Sequence, residues 1–343
     1  MHVHTLIIGA GPAGLACARL LAEHGIRPLV IERKREIGAK VCAGGITWGG
    51  LISRVPADLA EKSFPVQHIV TRFQKVRIEE PTPIIATVNR IKLGKHMAGQ
   101  AMAAGAEIMT GRQVKEIAGQ EVIIEEKEGR RRQRITCDHL VGADGSSSMV
   151  RRHLGLASNR IGIGINYQIG GDLPDMEWHL DSRFFGNGYG WIFPHGDTVS
   201  IGAYADKDTM SAQLLKKGLL NWAEQLGFSL AREQARAEYI NYDFKGWKFG
   251  RIFLVGDAAG LASGLTGEGI YPAILSGEET ARTIIDPDYT STIMERLIRK
   301  HRLHSRMVDW TGRNSAFNRI AGECVTFGLR CGIIKFNKLE MAV

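Results

Sequence analysis

Two glycine-rich turns, one near each end of the chain, carry residue types suited to holding a dinucleotide. The first is Gly9-Ala10-Gly11-Pro12-Ala13-Gly14, which follows the apolar run Thr5-Leu6-Ile7-Ile8 and opens into Leu15 to His24, whose small and apolar residues suit a helix. In such a strand-turn-helix unit Gly9 permits the tight turn, Gly11 lets a pyrophosphate approach the backbone, and Gly14 lets the helix pack on its strand. Pro12 and Ala13 fall where the positive helix N-terminus meets the phosphates. A second strand, Arg27 to Ile31, runs into Glu32 and Arg33, roughly 20 residues past the turn, where an acid accepts from ribose hydroxyls. The second turn, Gly256-Asp257, follows the strand Ile252 to Val255, so its carboxylate is expected at the carboxyl edge of a sheet, within reach of a ribityl hydroxyl. One turn alone is a weak signal; the pair points to FAD.

The stretch Ser263 to Ile270 is glycine-rich and opens a helix. Reduced flavin carries negative charge near N1 and O2, and a helix N-terminus presenting Gly267, Gly269 and Ile270 is a suitable partner for it. The five cysteines show no Cys-x-x-Cys pairing, so neither a metal site nor a disulfide framework is indicated, and a reducing compartment fits. Among them Cys42 stands out, because Ala43, Gly44 and Gly45 beside it are small enough to admit a ring.

These residues need elements to position them. Val66 to Val88 alternates as short strands, Asn89 to Gly105 reads as a helix closed by a glycine cap, and Ala106 to Met109 returns as a strand. A hairpin follows around Lys127-Glu128-Gly129, and His139 to Gly145 resembles a strand ending in the carboxylate of Asp144. From Ile161 to Tyr204 glycine and aromatic residues alternate, as expected of an antiparallel sheet with a concave face. Ser211 to Leu226 and Gly267 to Ile285 read as helices. The expected fold is α/β: a Rossmann-like FAD-binding domain (1–65, 89–158 and 246–290) interleaved with an antiparallel-sheet substrate domain (66–88 and 159–245), plus a helical C-terminal segment (291–343).

At 343 residues, 44% hydrophobic and 23% charged, the chain can bury a large core. Its net charge of +8 favours anionic ligands or an acidic membrane surface. The arginine run Arg130 to Arg134 lacks interleaved aromatics, so nucleic-acid binding is not expected. The chain enters its first strand almost at once and has no apolar run of the roughly 18 residues that a spanning helix needs, so a cytoplasmic location is expected. Ile293 to Val308 combines clustered apolar positions with a basic remainder that suits peripheral contact with an anionic bilayer, or equally a helix packed on the catalytic domain; Phe317 to Phe336 has the same mixed character.

The two glycine turns with Glu32 and Asp144-Gly145 resemble flavoprotein oxidoreductases of the para-hydroxybenzoate hydroxylase fold. More narrowly, Val41 to Gly45, Tyr189 to Pro194, and Gly267 to Gly277 resemble the geranylgeranyl reductase family, over residues 1 to about 285. The resemblance implies a reductase that uses FAD to saturate isolated double bonds of prenyl chains. By position it implies that Arg90 and Asp257 contact FAD and that Asp144 shapes its site. It also puts Cys42, Ala43 and Gly44 near the isoalloxazine, and Tyr189, Trp191, Phe193 and Pro194 along an apolar cavity with His195 beside them. The family commonly has Pro-Cys-Gly-Gly at the cysteine turn and Lys after Phe-Pro; this chain has Val41-Cys42-Ala43-Gly44-Gly45 and His195.

An unactivated alkene is a poor electrophile, so hydride arriving at one carbon must be matched by a proton at the other, in a dry pocket that holds both centres close. A thiol, with an ordinary pKa of about 8.5, is mostly protonated at neutral pH. Cys42 is therefore the first candidate for proton donor or substrate positioner, with Tyr189 and Tyr271 as further catalytic candidates. An FAD monooxygenase acting on an aromatic compound, and an electron-transfer flavoprotein serving a membrane or quinone partner, are the competing expectations. With one fingerprint already given to FAD, the reductant is expected to be NAD(P)H bound transiently or a ferredoxin-like donor.

Overall fold

The apolar run near the start of the chain forms the strand His2–Ile8, the centre of a parallel sheet. Leu29–Glu32 and then Glu107–Thr110 flank it on one side, Arg132–Gly142 and then Ile252–Leu254 on the other, all paired in parallel. Strand succession reverses between His2–Ile8 and Arg132–Gly142, and such a reversal opens a crevice at the strands' carboxyl ends. Gly9 lies there with φ at +108°, and a Cβ on it would stand 2.3 Å from the Ala143 carbonyl oxygen, so only glycine fits. The hairpin Arg112–Ala118 and Glu121–Glu126 extends this sheet in antiparallel fashion. The computed structural model describes residues 1–40, 42–129, 131–312, 315–336 and 339–342; Val41, before the cysteine turn, and Arg130, first of the arginine run, lie outside them.

Helices Pro12–Glu23 and Ile270–Ile285 pack against each other almost backbone to backbone. A Cβ added at Gly277 would lie 2.1 Å from the Ala13 carbonyl oxygen. Helix Arg90–Ala104 packs on Pro12–Glu23; Asn89 caps it by accepting from the amides of Ile91 and Lys92, and Gly105, left-handed at φ +111°, ends it. Behind the turn at Gly256, the Arg151 side chain is 1% exposed and donates to the carbonyls of Ala157, Asp243 and Ala258 at 3.0, 2.6 and 3.3 Å.

A second sheet of seven strands runs in the order Arg236–Asn241, Ile161–Gly170, Thr198–Asp206, Tyr189–Pro194, Met176–His179, Val66–Val70, Lys75–Glu79. It departs from the expected antiparallel pattern at one place: Val66–Val70 joins Met176–His179 in parallel, since those strands meet across a long excursion of the chain instead of a hairpin. Leu215, Leu219 and Trp222 of helix Ala212–Gln225 bury its rear face. A small sheet of Gly45–Thr47, Ile85–Val88 and Ala60–Phe64 bridges toward the nucleotide side. Helix Thr292–Gly312 packs against Ile270–Ile285, and Ser315–Arg330 leans on Lys75–Glu79. Among the described residues no helix is long and apolar enough to cross a membrane.

Candidate active site

A cavity of about 630 Å³ runs from the crevice of the parallel sheet to the aromatic face of the second sheet. Its two ends differ in chemistry.

At the polar end the turn Gly9 to Ala13 lines the wall. The Glu32 carboxylate is fixed beside it, accepting from the amides of Ala10 and Lys34 at 2.8 Å each. Gly11 caps helix Pro12–Glu23 without a side chain of its own, and a Cβ there would meet nothing within 4 Å, which leaves open space in front of the first helical amides. Arg90 lines the same space with Nε and Nη1 buried and unpaired, and Asp144 presents a buried, unpaired Oδ1 while its Oδ2 takes the Met149 amide at 2.6 Å. Burial pushes the Asp144 carboxyl up, against the Ser148 hydroxyl and backbone amides that hold it down. An unfilled cationic fork beside an open helix N-terminus is the donor set that a diphosphate satisfies, so the residues present fit FAD. Arg33 also lines this end.

Between the two ends Asp257 and Lys40 cross the cavity, Nζ to Oδ2 at 2.7 Å, with the Ser146 hydroxyl 3.2 Å from the same oxygen. Lys40 was not among the sequence-selected residues; the only signal for it is a cation among the small residues leading to Cys42. Gly256, Gly267, Gly269 and Ile270 line the wall here, where helix Ile270–Ile285 begins. Glu268 stands among them, its Oε2 accepting from Thr266 Oγ1 at 3.0 Å and from the Met341 amide at 2.8 Å. Burial pushes its carboxyl up, and burial together with Glu268 pushes Glu340, also on the wall, up to about 7. Ser263, whose hydroxyl pairs with His304 Nδ1 at 2.8 Å, ties this turn to helix Thr292–Gly312.

The apolar end is walled by Tyr189, Trp191 and Phe193, successive residues on one face of their strand, with Trp178 and Tyr204. Trp178 meets Phe193 edge-on at 4.7 Å and Tyr189 at 5.2 Å. Val325 and Leu329 of helix Ser315–Arg330 close the opposite side. The Tyr189 hydroxyl donates to the Thr266 carbonyl at 2.5 Å, and burial makes it a weaker acid than an ordinary phenol. Cys42 and Ala43 line the cavity as well, Cys42 half-buried.

Several sequence-selected residues stand off this wall. Gly14 packs beneath the turn, where a Cβ would strike the Gly9 carbonyl oxygen. Gly44, left-handed at φ +84°, turns the chain behind Cys42. Pro194 faces the other side of its strand, and its carbonyl accepts from Thr87 Oγ1 at 2.8 Å. His195 is 6% exposed and sits behind the cysteine turn. Tyr271, one residue past the helix start, packs in the core against Gly50, because Ile270 and Ala273 take the cavity-facing positions.

Residues 2–168 match the family described as FAD binding domain. Over 327 residues the chain is 30% identical to digeranylgeranylglycerophospholipid reductase 2 of Methanosphaera stadtmanae, an alignment covering 85% of this chain and 81% of the relative. Among solved structures, a geranylgeranyl bacteriochlorophyll reductase-like protein from Thermoplasma acidophilum superposes with a TM-score of 0.83 at 22% identity, over 98% of this chain and 94% of that one. A flavin-dependent brominase superposes with a TM-score of 0.67 at 16% identity, over 99% of this chain and all (100%) of that one, so the fold is shared with other flavin chemistry.

Proposed function

The chain belongs to the geranylgeranyl reductase family of FAD-dependent oxidoreductases, and from that premise we propose that it saturates carbon-carbon double bonds of a prenyl chain or a similarly apolar substrate. The observation that carries this reading is one continuous cavity lined at one end by the glycine turn and Arg90 and at the other by aromatic side chains, with Cys42 also among its lining residues. Bound FAD, once reduced, supplies the hydride.

In this reading the chain's own residues do the rest. Gly9 to Ala13, the helix N-terminus and Arg90 would hold the diphosphate, and Glu32 would take the adjoining ribose. Asp257 and Lys40 would lie beside the ribityl chain, and the helix N-terminus at Gly267 to Ile270 would favour the negative charge of the reduced ring. Tyr189, Trp191 and Phe193 exclude water and hold the substrate by its apolar surface. Tyr189 serves as wall and anchor, since its proton is committed to Thr266 and burial weakens it as an acid. Cys42 Sγ delivers the proton or seats the alkene. The electron donor is NAD(P)H or a ferredoxin-like protein. Exposed Leu303 and Trp310, set among Arg299, Arg302 and Arg306, give helix Thr292–Gly312 a face for peripheral contact with an anionic membrane from which an apolar substrate is drawn.

The test is anaerobic turnover of a prenyl lipid with chemically reduced, FAD-loaded protein. A product carrying two more hydrogens for each double bond lost supports the proposal; product formation that depends strictly on oxygen replaces it with hydroxylation.

A further inference from the structure

Three consecutive carbonyls at the cysteine turn are tied to neighbouring strands. Cys42 O accepts from Asn166 Nδ2 at 3.3 Å, Ala43 O from His195 Nε2 at 3.0 Å, and Gly44 O from the Val88 amide at 2.9 Å. Two of these ties come from side chains that are themselves braced. His195 Nδ1 donates to Glu61 Oε2 at 2.8 Å, and Glu61 Oε1 faces Lys92 Nζ at 3.7 Å. Asn166 Oδ1 accepts from Ser200 Oγ at 2.8 Å, which in turn accepts from Trp191 Nε1 at 3.0 Å. His195, Asn166, Ser200 and Trp191 are all buried.

We propose that His195 braced by Glu61, and Asn166 braced by Ser200 and Trp191, are positioning residues that form a two-armed clamp fixing Cys42 at the boundary between the polar end and the aromatic chamber. The proposal rests on the reductase reading for its purpose and on these bonds for its existence. Around Cys42 the chain is small and irregular and reaches the next strand through the left-handed Gly44, so the local sequence alone leaves the thiol many orientations. Reacting groups must be held within a fraction of an ångström, and a misplacement of about 1 Å costs on the order of 100-fold in rate. The close fit of ring to turn is visible at Gly44, where a Cβ would stand 2.5 Å from His195 Cε1. Both atoms facing the His195 ring are acceptors, so filling both bonds takes a side chain with two separate donors. The second arm begins at Trp191, a chamber wall, so the same network touches the apolar ligand site and the cysteine backbone.

The test reads the thiol directly. The rate of Cys42 alkylation by iodoacetamide is followed by mass spectrometry in the FAD-free and FAD-loaded chain, with exposed Cys324 as internal reference. His195→Gln and Asn166→Ala are each expected to change the Cys42 rate by about 5-fold or more relative to Cys324, and to lower kcat by about 10- to 100-fold with KM within about 2-fold. His195→Lys, which keeps more than one donor on a side chain of similar reach, is expected to restore both. Ser200→Ala cuts the second arm at a distance and carries the same expectation if His195→Gln does not fold. Unchanged alkylation in the folded variants overturns the clamp whatever happens to turnover. Altered alkylation together with full turnover by Cys42→Ala sustains the clamp and removes the thiol from the chemistry.

Discussion

At the residue scale the cavity wall separates groups that hold charge from groups that shed it. Arg90 sits at the dinucleotide end and Lys40 between the two ends, while Glu268 and Glu340 are driven toward their neutral forms. An acid whose pKa rises on folding stabilises the native state fully below its unfolded value, and that contribution is lost as the pH climbs through the folded value. With Glu340 pushed up to about 7, the natural chain should lose melting temperature relative to Glu340→Gln as the pH rises from the ordinary carboxyl range to about 7. Parallel pH profiles for the two chains would contradict that. Cys42→Ala is expected to keep FAD, judged by visible absorbance, and to lose about 100-fold in turnover if the thiol is the proton donor. Lys40, Asn166 and Ser200 were illegible in the sequence because they act through partners far along the chain, Asp257, Cys42 and Asn166, and carry no local motif.

At the element scale the readable features were those whose physics is local. Strand, glycine turn and helix at Thr5 to His24 follow from spacing alone, as does the helix between Asn89 and Gly105 with its glycine cap. Alternation places Tyr189, Trp191 and Phe193 on one face and Pro194 on the other, whereas the family resemblance put all four along the cavity. Tyr271 stands off the cavity wall because the facing of a residue at a helix start depends on what the helix packs against, and here the packing turns Ile270 and Ala273 to the cavity. That packing leaves no spare room. Gly277→Ala, whose new Cβ would meet the Ala13 backbone at 2.1 Å, is expected to cost about 2–3 kcal/mol, read from the denaturant midpoint. Arg151→Met, which strips three carbonyls and Asp243 of their buried partner, is expected to cost about 3 kcal/mol or more and to weaken FAD retention by loosening the turn at Gly256. A wild-type midpoint in either variant would contradict the account of these contacts.

At the scale of the whole molecule, two sheets meet along a cavity that neither encloses alone, with helix Ser315–Arg330 closing the apolar end. The layered α/β character was legible from the order of patterns, but the parallel joint of Val66–Val70 with Met176–His179 was not, since pairing across a long excursion leaves no local trace. The basic, partly apolar face of helix Thr292–Gly312 belongs to this scale too. Sedimentation with vesicles should show binding that requires anionic lipid and falls with salt, and Trp310→Ala with Arg302→Glu should abolish it; equal binding to neutral vesicles would contradict the proposed contact.

The most direct measurement mixes FAD-loaded, chemically reduced protein with a prenyl lipid in the absence of oxygen and follows flavin absorbance alongside product mass. The account predicts that the flavin colour returns in step with a lipid gaining two hydrogens per turnover. A flavin that stays reduced until air is admitted, or a chain that takes up no flavin at all, would contradict it.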